Sequence, residues 1–138
     1  MLIAAMSLGL IGGITYFVGG CTGTISWTDG TAPWWVVSLI PIGAVGAMGA
    51  AMTRTKPTVA GVVMLIAAVS AMGIGFASLP DLVARQSTVG GLPSGYLSVL
   101  VPAHALGGNI LVAPFSLLTL IIGGMLALSS GKKSGAED

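Results

Sequence analysis

Four long apolar stretches, none carrying an Asp, Glu, Lys, Arg or His, decide what this chain folds into. They run from Leu2 to about Gly20, from Trp34 to about Met52, from Thr58 to about Leu79 and from about Asn109 to Leu128. A helix needs roughly 20 apolar residues to cross the hydrocarbon of a bilayer, and a charge at its centre is costly to insert. The four stretches meet both conditions. The reading is an all-α membrane protein with four transmembrane helices, forming one domain over residues 1–138 and ending in a short polar tail, 129–138.

Composition closes off the alternatives. Only 7% of residues are charged and mean hydropathy is +1.00, whereas a soluble domain carries about 25% charged residues. A chain so poor in charge cannot cover a water-facing surface, so membrane lipids are its expected surroundings. The net charge of +1 steers no polyanion toward it, which excludes nucleic acid as a partner. One cysteine, Cys21, and one histidine, His104, make neither a disulfide nor a metal-ligand set, so no cofactor is expected.

The charges lie between the apolar stretches, and their signs give an orientation. Arg54 and Lys56 sit in the connection between helices two and three, and Lys132 and Lys133 in the tail. The connection after helix one has no basic residue, and the long third connection has only Arg85. With an even number of helices, the positive-inside rule puts both termini in the cytoplasm of a bacterial inner (plasma) membrane. The two remaining connections then face outward. One runs from about Cys21 to Pro33; the other, from Pro80 to about Gly108, joins helices three and four. Within the latter, Gly90 to Gly95 reads as turn and loop, and the apolar piece Tyr96–Leu106 is too short to cross and lies along or folds back into the interface.

Few residues suggest chemistry. His104 could handle a proton at the outer face, but no carboxylate or cysteine sits near it in sequence, so an interfacial histidine bonded to backbone or headgroups is the preferred reading. Asp81 and Arg85, four residues apart after Pro80, fit the start of a short surface helix, where their ion pair is worth about 0.3–0.5 kcal/mol. The segment Phe17–Cys21 has the shape of a lipoprotein cleavage box, but no Lys or Arg precedes it. Cys21 is therefore read as a small residue at the outer end of helix one. Pro41 and Pro114 fall inside the second and fourth stretches and are expected to kink them. Trp27, Trp34, Trp35 and Tyr96 suit an outer interfacial belt, or with His104 an outer contact face.

Small residues four apart carry more information. Gly9 with Gly13, Gly43 with Ala47, Gly46 with Ala50, Gly73 with Ala77 and Gly123 with Ala127 all allow helix backbones to approach. The partner of each can be this chain or another.

Ser26-Trp27 after the first helix, Trp34-Trp35 with Leu39-Ile40-Pro41 opening the second, and Phe76 leading into Pro80-Asp81 resemble a family of small actinobacterial membrane proteins named for their position beside tryptophan biosynthesis genes. The chain departs from that pattern in its N-terminus, which lacks basic residues, and in its third connection. The resemblance implies an actinobacterial inner-membrane protein and supplies no catalytic residues.

Two functions fit. The first is a non-catalytic accessory or structural subunit that binds other transmembrane subunits of a larger complex through glycine-rich faces and outer aromatic loops. Actinobacterial respiratory complexes recruit small subunits of this general kind, which makes a respiratory-chain assembly the expected host. The alternative is a small oligomeric transporter or channel, which wants a polar or charged residue along a pathway. An enzyme is third, for want of a nucleophile pair or metal set. The orientation is tested with single cysteines, R54C and S134C, each in a C21S background. Both should resist a membrane-impermeant maleimide on intact cells, and labelling of either overturns the assignment.

Overall fold

In hydrocarbon no water bonds a free peptide group, so the backbone must satisfy itself within each segment. The computed structural model describes residues 1–26, 34–88 and 113–134, and over these the chain is helical but for Met1 and the short link Thr55–Lys56. The elements are α1 (Leu2–Ser26), α2 (Trp34–Ala51), a 3-10 turn (Met52–Arg54), α3 (Pro57–Thr88) and α4 (Ala113–Ser134). Three helices are long and apolar enough to cross a membrane, over Leu2–Cys21, Val37–Arg54 and Pro57–Ala77. The described part of α4 carries a shorter apolar stretch, Ser116–Gly131.

Three helices outrun their apolar stretches. α1 continues past Gly20 to Ser26, α3 runs unbroken through Pro80 to Thr88, and α4 continues past Leu128 to Ser134, into the expected tail. The helix start expected at Pro80 is therefore absent, and Asp81 and Arg85 lie in the last turns of α3. A proline forgoes one backbone bond without ending a helix whose neighbouring turns are otherwise satisfied. The turn before Pro114, where its kink is expected, lies outside the described residues. Pro41 does lie inside α2 and is exposed on its outer side.

α1 packs against α2 and α4, and α3 packs against the same two, so the helices form a four-membered ring with α1 opposite α3. Residue contacts fix the directions. Gly9 meets Ala50 while Gly20 meets Ile40, so α1 and α2 are antiparallel; Gly61 meets Gly124 while Gly131 meets Thr58, so α3 and α4 are too.

The interior is built from small side chains. Ala5, Ala50, Ala60, Ala67, Ala68, Ala71 and Ala127 are buried, whereas Ile3, Ile14, Met48, Ile66, Val69, Phe76 and Met125 are exposed. A water-soluble bundle buries its large apolar residues. The opposite arrangement suits a lipid solvent, where large side chains gain nothing by leaving the surface and small ones let backbones close up. The few large buried groups sit against gaps. Met64 of α3 fills the space over Gly9 and Gly49, and Leu120 of α4 covers Gly12 and Gly46. Tyr16 is buried in the same cluster as Ala67, Ala68 and Ala71 of α3.

The crossing of α1 and α2 is the tightest. A Cβ on Gly13 would lie 2.9 Å from Ala47 Cα, and one on Gly43 would lie 2.7 Å from Gly13 O and from Phe17 Cα. These are backbone neighbours that cannot swing aside. Gly13→Leu should lower stability by about 3 kcal/mol or more, read as earlier unfolding in a denaturing-detergent titration. Val18→Leu, on the exposed side of the same helix, should change it by less than about 0.5 kcal/mol.

Candidate helix-packing and contact faces

Seen end-on, neighbours in a four-membered ring lie about a right angle apart around each helix, and consecutive helical residues differ by about 100°. Two adjacent small residues can therefore serve both neighbours at one level. Every helix has such a pair. Gly12 faces α4, where an added Cβ would lie 2.7 Å from Thr119 Oγ1, while Gly13 faces α2. On α2, Gly49 faces Val63 and Met64 of α3, while Ala50 faces Gly9 of α1. On α3, Ala60 lies toward Gly49 and Gly61 toward Gly124. On α4, Gly123 faces Ala5 and Gly9 and Gly124 faces Gly61 and Leu65. Gly9, Ala50, Gly49, Ala60, Gly61, Gly124 and Gly123 thus close a belt around the bundle, with Met64 reaching Gly9 across it.

Of the packing residues expected from sequence, Gly9, Gly13, Gly43, Gly46, Ala47, Ala50, Gly123 and Ala127 lie on the seams between helices of this chain or in its core. Gly73 and Ala77 do not. Among the described residues no atom of another helix lies within 4 Å of the place a Cβ on Gly73 would take, and both residues are exposed on the outer side of α3. Gly12, Gly61 and Gly124 were not singled out by the spacing of four, although the tandem pairs Gly12-Gly13 and Gly123-Gly124 are visible in the sequence.

The adjacent tryptophans divide in the same way. Trp34 is half exposed and Trp35 is buried. Cys21 is half-buried where the apolar part of α1 ends. Trp27, Tyr96, His104 and Asn109 lie outside the described residues. Among the described residues no group of His, Cys, Asp and Glu is placed to hold a metal ion.

The buried hydroxyls fall into two kinds. Thr119 Oγ1 donates to Ser116 O at 2.9 Å, and the half-buried Ser130 donates to Leu126 O at 2.8 Å, so each uses its own helix. Short hydroxyl side chains can do this because the carbonyl three or four residues back is within reach. The Tyr16 hydroxyl, at the end of a ring, cannot. It is fully buried among apolar side chains with no hydrogen-bond partner among the described residues, and Thr53 Oγ1 in the 3-10 turn is in the same state. An unmet buried hydroxyl costs about 1–3 kcal/mol. Tyr16→Phe keeps the buried ring and removes the hydroxyl. It should raise stability by about 1 kcal/mol or more in the same detergent titration, and a loss would mean the hydroxyl has a partner. Compared with protein-family models, with curated proteins and with solved structures, the chain matches none.

Proposed function

We propose that this chain is a multi-pass protein of the bacterial inner membrane, with four spans and both termini in the cytoplasm, acting as a non-catalytic accessory subunit of a larger membrane complex. The observation that carries the reading is the outer face of α3. Gly73 stands in open space, with Met72, Phe76 and Ala77 exposed beside it. The other glycines whose surroundings are described, from Gly9 to Gly131, each meet a neighbouring helix within 4 Å. A small-residue gap between large apolar ones is what a second transmembrane helix docks against when lipid offers no hydrophobic drive. The basic residues of the α2–α3 link and of the end of α4 support the orientation. A respiratory-chain assembly in an actinobacterium remains the proposed host.

The transporter reading draws on the buried hydroxyls of Tyr16, Ser116 and Thr119 near the α1–α4 seam. A path for a charged solute wants an ionisable group inside the membrane, and among the described residues the buried polar side-chain groups are hydroxyls and the Trp35 indole N–H, none of them charged. The accessory reading is therefore preferred. Its test is purification in mild detergent. The wild-type chain should copurify in fixed stoichiometry with a larger complex, and Gly73→Leu should lose that association while shifting the stability of the chain itself by less than about 0.5 kcal/mol. Recovery as a lone homo-oligomer that moves a solute into liposomes overturns it.

A further inference from the structure

We infer that the end of the bundle formed by the α2–α3 link and the last turn of α4 is a binding surface for the headgroups of anionic phospholipids. The inference rests on the membrane reading above and adds a lipid class to it. The link is a closed turn: the Thr55 and Lys56 N–H groups both donate to Met52 O, at 3.1 and 2.9 Å. Arg54 and Lys56 are exposed on it, two residues apart. Gly131 packs on Thr58, where an added Cβ would lie 3.1 Å from Thr58 N. That contact brings the turn bearing Lys132 and Lys133 beside the start of α3. α1 starts at this end too, because it packs against the 3-10 turn and Gly9 lies level with Ala50.

Four basic residues therefore gather at one end of the bundle, with no carboxylate among the described residues there; Glu137 and Asp138 of the tail lie outside them. At the opposite end the described helices carry one basic residue, Arg85, four residues after Asp81. Directly beside the basic end the helix walls are apolar and exposed, at Ile3, Val59 and Met125. A cationic rim above an apolar wall matches a molecule with an anionic head and hydrocarbon tails. A soluble phosphate or an acidic peptide would have no use for the wall. Each basic residue held near an anionic leaflet contributes enough to change affinity roughly fivefold.

The test is native mass spectrometry of the full chain released from micelles containing equal amounts of phosphatidylglycerol and phosphatidylcholine. The wild-type chain should retain phosphatidylglycerol in preference. R54Q/K56Q and K132Q/K133Q should each reduce that preference, by up to roughly fivefold per residue removed, and millimolar inorganic phosphate should leave the bound lipid in place. Equal retention of the two lipids, a preference untouched by both double variants, or displacement by phosphate overturns the inference while leaving membrane insertion intact. Release of the chain from membranes by alkaline carbonate overturns both.

Discussion

Backbone contact between helices is the constraint on which the rest of this bundle depends. In lipid, burying a large apolar side chain releases little free energy, so helices hold together by the dispersion gained when their main chains approach. That requires glycine or alanine at each crossing, and the belt through Gly9, Ala50, Gly49, Ala60, Gly61, Gly124 and Gly123 supplies it on all four seams. The larger buried groups follow. Met64 and Leu120 have room only because a neighbour lacks a side chain opposite them. The exposed valines, isoleucines and methionines follow as well, since they are what remains when the interior is reserved for small residues.

The helices themselves were legible because hydrocarbon imposes a condition on composition, and a run of apolar residues without charge records it directly. Their ends were less so. Hydropathy marks where lipid stops, and a helix is free to continue beyond that point, as α1 does to Ser26 and α3 does through Pro80 to Thr88. Pro80 reads as a break in one dimension, yet the turns on either side carry it.

The packing residues show a different limit. A spacing of four follows one stripe of one helix, so it picked out Gly9, Gly13 and Gly123 along with Gly73 and Ala77. It cannot say which stripe faces the bundle, and the last two face away from it. Gly12, Gly61 and Gly124 escaped because each helix has two neighbours and needs a second stripe about 100° from the first. Adjacent small residues were the signal for that. The Tyr16 hydroxyl had no sequence signal, since its isolation depends on how the other helices pack around it. The outer contact candidates Trp34 and Trp35, alike in sequence, divide between surface and interior for the same geometric reason.

The tandem arrangement of small residues has a consequence for how this chain can vary in length. Inserting one residue within a helix turns everything beyond it by about 100°, nearly the angle between the two neighbours. The surface shaped for one would then be presented to the other, and a bulky stripe would be turned into a crossing where only a hydrogen fits. Length changes are therefore confined to the connections, while the helices between their crossings are locked in rotational phase.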